Sequence, residues 1–226
     1  MVLSVPAFAE GGSADQDSPL IRPVLVVSPA FERFRFSFFE DNNSARDGLD
    51  TTALGELTGE ERARAEDMLI DYVPDTRAVI GLGVLRVRRA EPLLVPLFEA
   101  ERRRKGAGLT YLARALWRVR PDPRWRTALI DVLSSAEFYI QRMDAAIALR
   151  DVHDAGVVPA LVAALDDPES LVRYHVAYTL LALHGVPVDA LNPPEMLYRE
   201  MADDPARREG GKRDLLATIA GREIIP

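Results

Sequence analysis

Four short strings in this chain recur at nearly constant spacing. Val84-Leu85-Arg86, Leu116-Trp117-Arg118, Ala148-Leu149-Arg150 and Ala182-Leu183-His184 superpose, and Arg86, Arg118, Arg150 and His184 stand 32, 32 and 34 residues apart. After each of the first three, a loop leads into another apolar stretch: Pro92 to Glu101, Trp125 to Leu133, Val157 to Leu165. Self-similarity at one fixed period of roughly 30–35 residues marks an array of supersecondary units. No such unit can bury its apolar face alone, so each must stack on its neighbours. The apolar spacing within the units is that of helices rather than strands. The chain therefore reads as all-α, with the second helix of each pair near residues 77–86, 108–118, 138–150 and 170–183.

Ankyrin and tetratricopeptide repeats have similar periods, but neither the Thr-Pro-Leu-His string nor the Trp-Leu-Gly-Tyr pattern occurs. The stretch Met143 to His184 carries a different signature. A Pro (Pro159) sits in the first turn of one apolar helix, an acidic-Pro turn follows (Asp166-Asp167-Pro168), and Leu171-Val172-Arg173 opens the next helix. This segment resembles the PBS-lyase-type HEAT-like repeats. The resemblance implies a right-handed α-solenoid of about four helical pairs, with the second helix of each pair lining the concave face. Pro74-Asp75-Thr76-Arg77 is similar to the turn between paired HEAT helices.

The array occupies residues 58–185, opened by Thr58-Gly59-Glu60-Glu61, whose spacing fits a capping box. Gly81 and Gly83 permit close helix approach in the first pair. Residues 20–57 form an N-terminal cap and linker. Within them Phe34, Phe36 and Phe38 alternate with Arg33, Arg35 and Ser37, a period of two that predicts a short β-hairpin or extended cap. A helix opening at Ser28-Pro29, with Phe31, Phe34 and Phe38 at helical spacing, is the alternative. Residues 186–226 read as C-terminal capping helices: one from about Glu195 to Ala202, then a segment from Asp204-Pro205 that Gly210-Gly211 interrupts. Residues 1–19 are a flexible N-terminus or the remnant of a signal peptide, Ala7-Phe8-Ala9 having the small-x-small form of a cleavage site. On the second reading the chain is exported or periplasmic; otherwise it is cytoplasmic.

Composition narrows function mainly by exclusion. Cysteine is absent, so disulfides, thiolate zinc sites and a cysteine nucleophile are unavailable chemistry. No apolar run approaches the ~18 residues of a membrane-spanning helix. The net charge is −7, yet residues 86–126 hold 12 Lys/Arg against 4 Asp/Glu, a basic block between acidic flanks. That block either lines solvated helix ends or meets an anionic partner. Within it, Arg102-Arg103-Arg104-Lys105 ends a helix, where cations complement the helix dipole. The richness in Arg, Ala, Leu and Pro and the scarcity of Lys suggest a bacterial source.

The exposed side of the second helices is where a binding face is expected. Tyr111, Arg114 and Arg118 fall together at i, i+3 and i+7 beside the packing stripe Leu109, Leu112, Ala113 and Leu116. Tyr139 and Arg142 are similarly placed on the third helix, and Tyr174, His175 and Tyr178 on the fourth. Tyr and Arg are enriched at interaction hot spots. In HEAT-like repeats the Arg after the inter-helix turn often pairs with a neighbouring turn Asp, and Arg77, Arg142 and Arg173 fit that structural role better than a binding one.

For catalysis the residues offer little. His153, His175 and His184 are not at metal-ligand spacing, and no His-Glu-x-x-His, Gly-x-Ser-x-Gly or phosphate-loop pattern occurs. No cofactor is expected. Two enzymes share this architecture, the HEAT-like alkylpurine DNA glycosylases and the bilin lyases. Pro121 and Leu129, four residues after Trp117 and Trp125, stand where an Asp would suit the first, and no bilin-specific motif is present. The acidic net charge disfavours duplex DNA, whose binding rests on many phosphate contacts. The expectation is a non-catalytic scaffold or adaptor that binds a protein partner on the concave face, with a toxin-neutralising immunity protein as the alternative.

Overall fold

A computed structural model describes residues 27–39, 48–189 and 191–225. The expectations for residues 1–19, Ala7-Phe8-Ala9 included, lie outside those residues. Twelve α-helices follow one another, and no strand forms among the described residues: α1 (Pro29–Phe39), α2 (Thr51–Glu56), α3 (Gly59–Asp71), α4 (Thr76–Val84), α5 (Glu91–Arg104), α6 (Leu109–Val119), α7 (Pro123–Ser135), α8 (Tyr139–Leu149), α9 (Val158–Ala164), α10 (Ser170–Leu183), α11 (Glu195–Glu200) and α12 (Pro205–Ile219). Short 3-10 turns, Arg88–Ala90 and Ala155–Val157, lead into α5 and α9.

The helices pack as two rows. Helix α4 packs on α6, α6 on α8 and α8 on α10, making an inner row, while α3, α5, α7 and α9 each pack on the next helix in sequence. This arrangement is compatible with an α-solenoid. A single apolar core runs through it from Phe31 to Ile219. The recurring positions Arg86, Arg118, Arg150 and His184 all stand at the C-terminal ends of inner-row helices, so the sequence period coincides with the spacing of the row. Helix starts are set locally. Asp75, Asp122 and Asp204 each accept a hydrogen bond from the backbone N–H two residues on, satisfying a donor the helix leaves open. Pro123 and Pro205 occupy first-turn positions where no N–H is needed.

Close approach within the inner row depends on one glycine. A Cβ on Gly83 would lie 2.8 Å from the backbone of Ala115, so α4 and α6 meet there with no room for a side chain.

Three local expectations are corrected. Pro29–Phe39 is a helix, not a hairpin or an extended segment. A strand would place Phe34, Phe36 and Phe38 on one face and Phe31 on the other. The helix instead buries Phe31, Phe34 and Phe38 at 0–2% exposure and leaves Phe36 47% exposed. It also satisfies its own backbone without a partner strand. The capping box at Thr58 does not close: Thr58 is the N-cap residue but its side chain caps nothing. Glu61 turns away to accept hydrogen bonds from the Ser28 N–H and hydroxyl, both at 2.6 Å, tying α1 to α3. Finally, Gly210-Gly211 does not interrupt the last segment, since α12 is continuous. A Cβ on Gly211 would come within 2.8 Å of Arg199 Cβ, so this glycine lets α11 lie against α12.

Candidate binding face

The sequence-expected residues divide into three groups. Tyr111, Arg114 and Arg118 project from α6 toward α8. The Tyr111 hydroxyl donates to Asp144 at 2.7 Å. Arg114 and Arg118 both donate through Nε to one carboxylate oxygen of Asp151, at 2.5 and 2.8 Å. The Trp117 indole N–H donates to the Asp151 carbonyl at 3.0 Å. These residues are half-buried rather than free, because the sequence one repeat later supplies their partners.

The electrostatics follow from that geometry. Burial, reinforced by the Asp144 carboxylate, pushes the Tyr111 phenol up to about 12. Burial alone would raise Asp151, but the Arg114 and Arg118 guanidiniums outweigh it and hold the carboxyl below its ordinary value. Asp151 is thus ionised at neutral pH, with one carboxylate oxygen held by both guanidiniums.

The second group surrounds a residue that sequence reasoning used as a repeat landmark and not as a site. Arg150, just past the end of α8, lays its guanidinium over the ring of Tyr178, 3.9 Å from the centroid. Among the described residues its buried Nε donates to no protein group, and its one side-chain bond is a long one, 3.5 Å, to the Thr179 hydroxyl. Burial disfavours its charge, and the Arg114 charge beside it adds to the cost. His175 and Tyr174 meet edge to face at 5.3 Å. Burial and the Arg150 charge hold His175 below its ordinary value, and its Nδ1 is also without a partner. The period that links Arg86, Arg118, Arg150 and His184 was the signal that could have singled Arg150 out. Asp144 and Asp151 were missed because their importance exists only across a helix interface.

The third group lies apart. Arg142 forms a two-pronged pair with Asp167, at 2.7 and 3.0 Å, and also donates to the Ala136 and Glu137 carbonyls. It clamps two turns together, the structural role expected of it. Arg173 does the same with the carbonyls of Asp167, Pro168 and Glu200. Tyr139, 38% exposed, opens α8 at the end away from Arg150 and makes no side-chain hydrogen bond among the described residues.

On the face of the inner row, three guanidiniums (Arg114, Arg118, Arg150) therefore stand beside two carboxylates (Asp144, Asp151). Beside them opens a cleft of about 640 Å³ whose lining includes Arg86, Arg88, Trp117, Arg118, Asp151 and His153. Arg86 and Arg88 are exposed and make no ion pair among the described residues. Although the protein as a whole carries −7, this face is locally positive. Trp125 lies in the core, 1% exposed and edge-on to Phe98 at 4.7 Å. Among the described residues no group of three or more His, Asp or Glu is placed to hold a metal ion, and no helix is long and apolar enough to cross a membrane.

No protein-family model matches the chain, and comparison with curated proteins finds no match.

Proposed function

We propose that this protein is a non-catalytic scaffold whose two helical rows are a HEAT-like α-solenoid, and that the inner-row face is the concave surface on which it binds a protein partner. The observation that carries the reading is the Arg150 cluster. Tyr174, His175 and Tyr178 surround a guanidinium that the protein itself leaves under-used, on a face otherwise cross-linked into fixed geometry. Such an arrangement suits recognition, because preorganised Tyr and Arg side chains lose little freedom on binding. It offers no nucleophile–base pair. Both tryptophans are engaged structurally, Trp125 in the core and Trp117 on the Asp151 carbonyl, which weighs against a base-excising groove. The locally positive face also weighs against an immunity protein directed at a basic effector.

The absence of native cysteine makes a site-directed test simple. Single-cysteine variants Tyr174→Cys, on the inner row, and Leu93→Cys, exposed on α5 in the other row, would carry a thiol-linked photo-crosslinker into native-host extract. A partner crosslinked from position 174 and not from position 93 is the expected outcome. Crosslinking from position 93 alone would refute the reading.

A further inference from the structure

Resting on that reading, we infer that the partner presents an acidic segment, and that one of its carboxylates seats on Arg150 against the Tyr178 ring. Arg150 is the one guanidinium of the cluster that no carboxylate contacts among the described residues; Asp151 attracts it only through space. Asp151, its chain neighbour, is taken up by Arg114 and Arg118. Asp144, on the same helix, accepts the Tyr111 hydroxyl. What remains to Arg150 is the face of Tyr178 and the distant Thr179 hydroxyl. A buried or half-buried charge without a counter-charge is costly, and a pairing carboxylate offsets that cost with charge-assisted hydrogen bonds. The planar guanidinium is already oriented by its stack on Tyr178, so a carboxylate meets a fixed fork instead of a mobile side chain.

The surroundings extend the argument from one carboxylate to a segment. Arg86 and Arg88 occupy the neighbouring cleft beside Arg118 and His153. Arg86, Arg118 and Arg150 recur at a spacing of 32 residues, which sets them along the C-terminal ends of α4, α6 and α8. Helix C-termini carry partial negative charge that these cations offset. An acidic peptide laid along the row would meet cations at successive steps. The overall charge of −7 does not oppose this at contact range, because exposed charges beyond roughly 8 Å are screened at physiological salt. A nucleic acid would suit the face less well, since a phosphate backbone carries charge at every step and cannot avoid Asp144 and Asp151, whereas a peptide can set neutral residues opposite them.

The experiment uses fluorescence anisotropy with a fluorescein-labelled Glu-Gly-Ser repeat peptide, beside versions with Gln or Lys in place of Glu. The Glu peptide should bind most tightly, and binding should weaken with added salt. Arg150→Gln should lose about tenfold in affinity, the worth of one charge-assisted hydrogen bond. Arg103→Gln, in the exposed basic run at the end of α5, should change nothing. Circular dichroism would first establish that Arg150→Gln folds. If it does not, Arg150→Lys, which keeps the charge and loses the planar fork, should still weaken binding several-fold. Wild-type affinity in whichever Arg150 variant folds would overturn the inference, as would equal binding of the Glu and Gln peptides. Displacement of the Glu peptide by a lower concentration of single-stranded RNA would also overturn it. A partner crosslinked at position 174 by a protein that ignores the Glu peptide would leave the scaffold reading standing and the acidic anchor refuted.

Discussion

Replacing Glu200 with Gln should make this protein more stable, by a margin that grows as pH rises from about 4.5 to about 7 and is constant above. Glu200 ends α11, is 1% exposed, and neither carboxyl oxygen accepts a hydrogen bond from the protein. Burial pushes its carboxyl up from 4.5 to about 7, with Asp166 adding to the rise and Arg173, Lys212 and Arg208 pulling against it. None of those cations reaches it: Arg173 and Arg208 donate to backbone carbonyls, and Lys212 is engaged with Asp166. In the unfolded chain the group ionises near 4.5, so the folded state binds the extra proton. The stability Glu200 allows is therefore complete below about pH 4.5, falls as pH rises, and is lost once pH passes about 7. A shift of that size corresponds to ~3 kcal/mol. The amide that Glu200→Gln introduces is neutral at every pH and escapes the loss. Urea unfolding followed by circular dichroism at pH 4.5, 6, 7.5 and 9 would read the difference. Wild type and Glu200→Gln should be nearly equal at pH 4.5, and the variant should lead by ~3 kcal/mol at pH 9. A variant that is less stable than wild type by a constant amount at every pH would refute the reasoning, for it would mean that Glu200 is ionised and paired.

Two further substitutions test the packing. Gly83→Ala should destabilise by ~1–3 kcal/mol, because the new methyl meets Ala115 backbone and α4 and α6 must part; an unchanged thermal midpoint would show that the two helices are not in close contact. Phe34→Ala should cost ~3–5 kcal/mol in urea unfolding and Phe36→Ala less than ~0.5, since one ring is wholly buried and the other 47% exposed. Equal losses from the two would restore the strand-like alternation that the helix replaces.

What the sequence made legible was periodic or local. The spacing of Arg86, Arg118, Arg150 and His184 located the ends of the inner helices, because equivalent residues of a repeat fall at equivalent helix ends. The turn residues Arg142 and Arg173 were readable as clamps, because each donates to carbonyls of its own turn, although Asp167 and the Glu200 carbonyl lie 25 and 27 residues on. Helix α1 was harder, since three alternating phenylalanines satisfy a strand and a helix alike until Phe31 is counted. The C-terminal glycines misled for a related reason. Gly211 costs helix propensity, yet contact with α11 offsets it, and that contact is not visible in the chain. At the binding face the residue types were legible and their state was not. Arg114 and Arg118 look free in sequence, but their partner, Asp151, lies 37 and 33 residues away. Arg150, unremarkable in its own segment, is left without a carboxylate by the same interface.

Three of the bonds that cross the inner row share one span. Tyr111 to Asp144, Arg118 to Asp151 and Thr179 to the Ala146 carbonyl each span 33 residues. Each therefore joins a helix to the next in the row and never skips one. Under tension such a row behaves as joints in series: an applied stretch divides among them, and slack in one joint is not carried past its neighbour. The joint between α6 and α8 differs in one respect. Arg114 and Arg118 hold the same oxygen of Asp151, so loss of that one carboxylate would release both bonds at once.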